Sequence, residues 1–163
     1  MSYEGTLRLI GYSMDQRGPH HVRVIETAEG FGVQWQWGHN GRTALYRHFT
    51  REELIVPERQ GVKGRAPLRG PLARSPLTSH ARSYRNVLRA LGHELDEVSA
   101  QSLLLDQLDD GFLVSYEYPD PRNPVRCRKH MAIVTVKEQQ ALVQQAYARR
   151  RAKSGLAARL AVP

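Results

Sequence analysis

The feature that most constrains this chain is an internal repeat with an offset of 81 residues. Compared with itself at that offset, the sequence aligns over 36 consecutive positions without a gap, and nine of them are identical. Roughly two identities would be expected by chance, so the pattern indicates a duplication. The identical pairs are Ser2/Ser83, Tyr3/Tyr84, Leu7/Leu88, Arg8/Arg89, Gly11/Gly92, Asp15/Asp96, Gly30/Gly111, Phe31/Phe112 and Val33/Val114.

Each copy begins with a predicted helix. The apolar positions of the first copy, spaced along one helix face and matched by apolar residues in the second, are Tyr3, Leu7, Ile10 and Met14. Ser2 and Ser83 precede the two helices and are predicted N-caps. Gly11 and Gly92 lie on the apolar face, where glycine costs about 1 kcal/mol of helix propensity. We expect both glycines to allow the helix to approach a sheet closely.

Three predicted strands follow in each copy. The dipeptides Glu29-Gly30 and Asp110-Gly111 each precede an alternating apolar run, which is a hairpin signal. A third run, "RTALYRHF" or "VRCRKHMAIV", precedes a capping box and a second helix. The capping pairs are Thr50 with Glu53 and Thr135 with Glu138. The second helix is predicted to stop near Pro57 in the first copy and at Gly155 in the second.

These patterns predict an α+β fold of two tandem α-β-β-β-α repeats, each with an antiparallel three-stranded sheet. Three strands with one apolar face are a marginal unit alone, so we expect the repeats to pack as an intramolecular pseudo-dimer, sharing a core or extending one sheet. The order α-β-β-β-α is similar to that of double-stranded-RNA-binding domains. Those domains start their second helix with lysines, whereas the starts here are "TREEL" and "TVKEQ", so the chain is not assigned to that family.

The net charge of +8 is distributed unevenly over four predicted regions. Repeat 1 (residues 1–56) is neutral and repeat 2 (residues 83–146) has a net charge of −2. The linker (residues 57–82), rich in Pro, Gly and Arg, and the C-terminal helix end and tail (residues 147–163) each have a net charge of +5. All the excess positive charge therefore lies outside the two repeats.

This charge distribution predicts a non-enzymatic nucleic-acid-binding protein whose linker and tail contact phosphates. The residues do not distinguish DNA from RNA. The predicted phosphate-contacting residues are Arg59, Lys63, Arg65, Arg69, Arg74, Arg82, Arg149, Arg150, Arg151 and Lys153. One alternative is that the linker is a soluble spacer and the tail a solvated helix end. A protein-interaction module, acting as a monomer or a homodimer, is the rival function, and the weaker third alternative is a small enzyme with its site between the repeats.

Four aromatic residues on the second strands could stack on bases: Trp35, Trp37, Tyr116 and Tyr118. They lie on the face that also carries phenylalanine and valine, so core packing is the favoured interpretation. Cys127 and His130 have the spacing of metal ligands but no second pair to complete a tetrahedral set. We therefore predict no metal, no cofactor and no catalytic residues.

The cellular setting is also inferred from composition. Cys127 is the single cysteine, which fits a reducing compartment. No stretch approaches the roughly eighteen apolar residues that a membrane span requires, and the N-terminus lacks the pattern of a signal peptide. We expect a cytoplasmic protein with no membrane role.

Overall fold

The computed structural model of the chain describes residues 2–19, 21–37, 43–54 and 83–160. The helices in that part of the chain are α1 (Tyr3–Arg17), α2 (51–54), α3 (Tyr84–Glu97) and α4 (Val136–Leu160). The strands are β1 (His21–Thr27), β2 (Gly30–Trp37), β3 (Thr43–Thr50), β4 (Gln101–Leu108), β5 (Gly111–Asp120) and β6 (Asn123–Thr135). The fold is α+β, as the sequence predicts.

All six strands belong to one antiparallel sheet, in the order β3-β2-β1-β4-β5-β6. Two separate three-stranded sheets were one form of the prediction, and the sheet is instead continuous across β1 and β4. At that seam Val24 lies opposite Leu105, the residue 81 positions further along the chain. Pairing β1 with β4 removes two open strand edges, whose unpaired N–H and C=O groups would otherwise face solvent.

The helices cover one face of this sheet, and the core lies between them. Alternate strand residues are buried there, among them Val22, Val24, Leu103 and Leu105, each at most 1% exposed. From α1 and α3 the fully buried residues Leu7, Ile10, Met14, Tyr84 and Leu88 pack onto them. The predicted alternation of buried and solvent-facing strand residues is confirmed, because side chains of a pleated strand point to opposite faces.

The helices α1 and α3 pack on each other at their glycines. A Cβ atom on Gly11 would lie 2.6 Å from the Cα of Arg85, and one on Gly92 would lie 2.6 Å from the carbonyl oxygen of Tyr3. The prediction that these glycines meet a sheet is therefore wrong. Each glycine instead lets the first turn of the other helix approach closely, because glycine has no Cβ atom.

Each of these helices is capped by an aspartate from the other. The carboxylate of Asp96 accepts from the backbone N–H groups of Tyr3 (2.7 Å) and Glu4 (2.9 Å). The carboxylate of Asp15 accepts from those of Tyr84 (2.7 Å) and Arg85 (3.1 Å). The first N–H groups of a helix have no partner within it, so these carboxylates satisfy donors that would otherwise be buried.

The predicted serine caps have different outcomes. The hydroxyl of Ser2 accepts from the backbone N–H of Gly5 at 3.1 Å, so its prediction is confirmed. Ser83 occupies the N-cap position of α3, but its hydroxyl donates to Asp15 and makes no capping bond. The aspartate has taken the role that the sequence pattern assigned to the serine, because it already accepts the two N–H groups of the first turn.

The remaining local signals that fall on described residues are confirmed except at one helix end, and the predicted stop near Pro57 lies outside those residues. The capping boxes are present, with the Thr50 N–H donating to Glu53 and the Thr135 N–H donating to Glu138. Both predicted hairpins form through two-residue turns. The exception is α4, which passes Gly155 and ends at Leu160. The residues after Gly155 read "LAARL", and strong helix formers offset the roughly 1 kcal/mol cost of one glycine.

Candidate nucleic-acid interface

The β5–β6 hairpin is longer than the others and extends past its neighbour in the sheet. The pairing of β4 with β5 ends at Gln101 and Glu117, whereas β5 continues against β6 as far as Asp120 and Asn123. We call residues 118–130 the ribbon. Within the described chain its β5 side pairs with β6 alone, and every residue from 121 to 131 is exposed. The ribbon is therefore a two-stranded projection of the sheet.

The ribbon carries a local excess of positive charge. It contains four basic residues and one acidic residue, whereas repeat 2 as a whole is net negative. The basic residues are Arg122, Arg126, Arg128 and Lys129, and the acidic residue is Asp120. All four basic side chains are exposed, so this surface presents a net positive charge to an anionic partner.

Two aromatic side chains share one face of this hairpin. Tyr116 lies opposite His130, with their ring centroids 5.1 Å apart, and Tyr118 lies opposite Arg128. The two tyrosine rings are 6.1 Å apart. Burial, with a smaller contribution from Tyr118, raises the pKa of the Tyr116 hydroxyl. Tyr116 packs against the core and Tyr118 is partly exposed, so this face passes from core packing to solvent along the strand.

An ion pair fixes the base of the turn. The Arg128 Nε lies 2.9 Å from a carboxylate oxygen of Asp120. The backbone N–H of Arg122 and the Arg128 guanidinium lower the pKa of the Asp120 carboxyl. Asp120 therefore stays ionised and neutralises one of the four cations, which leaves a ribbon with a net charge of +3.

Two cations of the C-terminal helix make contacts within the protein. Arg149 pairs with Glu94 at 3.2 Å, and the Arg150 Nε donates to the carbonyl oxygen of Ala146. Burial and the nearby Arg89 lower the pKa of the Arg150 guanidinium. Arg151 is exposed. Two of the predicted phosphate contacts thus make protein contacts, and the side chain of Lys153 lies outside the described residues.

Most of the other predicted site residues are either buried or not described. Arg59, Lys63, Arg65, Arg69, Arg74 and Arg82 lie outside the described residues, as does the Trp37 side chain. Trp35 is 6% exposed, and the Arg17 guanidinium lies 5.5 Å from its ring centroid. Trp35 therefore belongs to the core, because its helix-facing position on β2 places it under α1 rather than in solvent.

In the described ranges there is no group of three His, Cys, Asp or Glu side chains that could hold a metal ion. Within the same ranges no helix combines the length and the apolar character that crossing a bilayer requires.

The ribbon cations were missed as a site by the sequence reasoning. Averaging charge over residues 83–146 combined them with the acidic residues of α3 and of the β4–β5 turn. A shorter window over "RNPVRCRKH" contains four basic residues in nine and would have identified the cluster.

The chain was compared with known proteins by family, by sequence and by structure. No family model, no curated protein and no solved structure matches it.

Proposed function

We propose that this protein binds nucleic acid without catalysing a reaction, and that its ribbon inserts into the major groove of duplex DNA. The observation that carries the proposal is the exposed two-stranded projection of residues 118–130 with four basic side chains. The B-DNA major groove is about 12 Å wide and admits a two-stranded β-ribbon. Arginine and lysine side chains on such a ribbon reach both the phosphates and the guanine edges.

The shape of the ribbon favours duplex DNA over the other nucleic acids. The major groove of A-form RNA is deep and narrow, and protein side chains do not read it. Single strands are held mainly by stacking on open aromatic faces. Here Tyr116 packs against the core and is faced by His130, and Trp35 is in the core, so Tyr118 is the described aromatic candidate that lies outside the core cluster.

We further infer that the two halves of the chain are copies of one unit, related by a pseudo-twofold axis between β1 and β4. Support comes from contacts that are reciprocal at the offset of 81 residues. Asp15 caps α3 as Asp96 caps α1, and Gly11 meets α3 as Gly92 meets α1. A self-complementary interface of this kind is what a twofold axis produces.

The basic linker and tail belong to the same proposal. Their positive charge would add phosphate contacts that carry no sequence information, and so raise affinity in a salt-dependent way. Replacing residues 57–82 with a short neutral segment should weaken binding sharply while the core stays folded. Unchanged affinity would remove the linker from the binding surface.

The experiment that tests the ribbon is a fluorescence-anisotropy titration against duplex DNA, duplex RNA and single-stranded DNA. We expect duplex DNA to bind most tightly, with affinity falling at least about tenfold between about 50 and 200 mM salt. The double variant Arg126→Ala/Lys129→Ala should lower the slope of log affinity against log salt by roughly 1.8, since each lost phosphate contact accounts for about 0.9. It retains Arg128, which holds the turn through Asp120.

A matched control separates the ribbon from net charge. The variant Arg51→Ala/Lys137→Ala also removes two exposed cations, but neither lies on the ribbon. We expect it to bind duplex DNA almost as the unaltered protein does. Equal loss in both variants, or no binding at low salt, would contradict the proposal. A preference for single strands would assign the surface to stacking instead.

A second candidate function, self-association, is favoured by the face of the sheet opposite α1 and α3. The exposed large hydrophobic side chains on that face include Ile25 (42%), Met131 (66%) and Ile133 (51%). No helix of the described chain packs on them, and exposed apolar side chains on a sheet face are candidates for an interface. Light scattering during gel filtration should then give a dimer that Met131→Lys dissociates. A monomer at all concentrations would exclude this candidate.

A further inference from the structure

We propose that a cavity beside the start of α1 binds a small zwitterion with an ammonium group and an anionic group, such as a short amino acid. The cavity has a volume of about 170 Å³ and lies between the start of α1, the end of β1 and the start of β4. Its lining residues include Tyr3, Thr6, Glu26, Arg51 and Gln101. This site is separate from the ribbon and does not depend on the proposed function.

The first observation is a carboxylate at a position where the strand pattern calls for an apolar residue. Glu26 follows Val22 and Val24 on the helix-facing side of β1. Its Oε2 accepts from the Tyr3 hydroxyl at 2.5 Å and from the Leu103 backbone N–H at 3.1 Å. Both bonds end on the same oxygen, and among the described residues Oε1 has no partner, which leaves it to accept from a ligand. An ammonium group is the donor that a carboxylate binds most strongly.

The second observation is an unsatisfied hydroxyl. The Thr6 side chain is 1% exposed, and within the described chain its Oγ1 has no hydrogen-bond partner. A buried polar group without a partner is unfavourable, and such groups in native structures call for an explanation. Thr6 also lines the cavity. A ligand with a donor group would satisfy both this hydroxyl and the Glu26 carboxylate.

The anionic group of the ligand would bind Arg51. The first residue of α2, Arg51, is held by its backbone N–H, which donates to the Glu29 carbonyl oxygen at 3.1 Å. Burial and the neighbouring Glu26 raise the pKa of the Tyr3 hydroxyl, and the charge of Arg51 opposes them. A guanidinium at the rim of the cavity would bind a carboxylate, and its planar fork suits that geometry. The site therefore offers one negative and one positive group to a single small molecule.

The size and backbone of the site limit the ligand further. A cavity of about 150 Å³ accommodates benzene, so this one accepts a molecule of roughly six to eight non-hydrogen atoms. The non-glycine residues with positive φ in the described chain, Ser99 and Ser102, flank the lining residues Ala100 and Gln101. Sparsely populated backbone conformations cluster at ligand sites because the surrounding structure must hold them there.

The second half of the chain lacks these features at the matching positions. The residue 81 positions after Glu26 is Gln107, whose Oε1 accepts from the Tyr84 hydroxyl at 2.8 Å. The residue matching Thr6 is Val87. Tyr84 is completely buried, whereas Tyr3 is partly exposed. The carboxylate and the unsatisfied hydroxyl thus occur in one half, which a purely structural role shared by both halves does not explain.

The test is calorimetric titration of the full chain with L-alanine and L-serine, alongside propionate and ethylamine, which each carry one of the two charges. We expect saturable binding of the amino acids at about millimolar concentration or below, and weaker binding of both single-charge probes. The variants Glu26→Gln and Thr6→Val introduce the residues present at the matching positions of the second half, so we expect both to fold.

The two variants and a control decide the outcome. Glu26→Gln should weaken amino-acid binding about tenfold or more, and Thr6→Val about threefold, because the first removes a charge-assisted bond and the second a neutral one. The control Glu29→Gln makes the same change in charge at an exposed turn residue and should bind as the unaltered protein does. If the unaltered protein does not bind amino acids, or if a folded Glu26→Gln variant binds them equally well, the proposal is overturned.

Discussion

The contacts between α1 and α3 can be compared with the contacts that each helix makes to the strands. Between the helices, the same residue types make the same contacts in both directions, with an aspartate and a glycine from each side. Toward the strands, the tyrosine of α1 meets a carboxylate and the tyrosine of α3 meets an amide. In a self-complementary interface each substitution must fit the geometry of its partner, so few changes are tolerated. The contacts to the strands are not reciprocal, so they can differ between the two helices.

The largest expected effect comes from adding a methyl group at the helix contact. Gly11→Ala and Gly92→Ala should each lower the free energy of unfolding by about 2–4 kcal/mol, although alanine favours a helix by about 1 kcal/mol. The reason is that each new Cβ would meet backbone atoms at 2.6 Å, and backbone cannot move aside as a side chain does. Urea unfolding measures both values. A neutral or stabilising effect at either glycine would show that the two helix contacts are not equivalent.

Substituting the two capping aspartates tests whether the reciprocal contacts also contribute equally to the free energy of unfolding. Asp15 is 2% exposed and also accepts from the Ser83 hydroxyl, whereas Asp96 is partly exposed. We expect Asp15→Ala to lower the free energy of unfolding by about 2–3 kcal/mol and Asp96→Ala by about 1 kcal/mol.

The physical reason is that water can replace a lost carboxylate at the more exposed cap but not at the buried one. The same urea measurement applies to both variants. Larger destabilisation by Asp96→Ala would show that burial does not set the difference between the two caps.

Removing the hydroxyls of Tyr3 and Tyr84 tests the helix-to-strand contacts, which differ between the two halves. Tyr84→Phe leaves the buried Gln107 side chain without its donor and should cost about 1–2 kcal/mol of stability. Tyr3→Phe should cost less, about 0.5 kcal/mol, since Glu26 still accepts from the Leu103 N–H and the cavity admits water. Thermal unfolding of both variants measures the difference. Equal losses would indicate that the two tyrosines have the same environment.

The smallest effect concerns the ion pair across the β1–β4 seam. Asp106 contacts Arg23 at 2.6 Å and His21 at 2.9 Å. Burial raises the pKa of the Asp106 carboxyl, but the hydrogen bond and charge of Arg23 outweigh it, so the pKa is lowered. The resulting stabilisation is present above the unfolded value of about 3.9 and is lost as the pH falls through the lowered pKa.

Because Arg23 is 44% exposed, this contribution should be about 0.5 kcal/mol. The midpoint of urea unfolding for Asp106→Asn should therefore fall less steeply below about pH 4 than that of the unaltered protein. Parallel pH profiles for the two proteins would show that the pair makes no net contribution.

The sequence predicted the elements well where the signal was local. The N-cap of Ser2, both capping boxes, both two-residue hairpins and the alternation of buried residues along the strands follow from neighbouring residues and are present. It failed where a distant residue intervened. Asp15 replaced Ser83 as the cap of α3, and the first turn of α3, not a sheet, occupied the space beside Gly11.

The candidate sites show the same division. The ribbon cations are visible as a basic run in the sequence. Their position on a projecting hairpin depends on β5 and β6 extending past β4. The polar pair Glu26 and Gln107 is also visible, as the polar residue that ends an apolar alternation in each half. Nothing in the sequence brings Thr6 and Arg51 to the same cavity, because they are 45 positions apart and belong to different elements.

Apart from the end of α4, periodicity, caps and turns were thus sufficient to specify the helices and strands and their order along the chain, because each depends on backbone geometry within a few residues. The pairing of β1 with β4, the exchange of capping aspartates and the cavity beside Glu26 arose only from tertiary packing. These features depend on which apolar surfaces are buried against each other. Burial of apolar area is itself non-directional, so the specific fit of the side chains decides the arrangement.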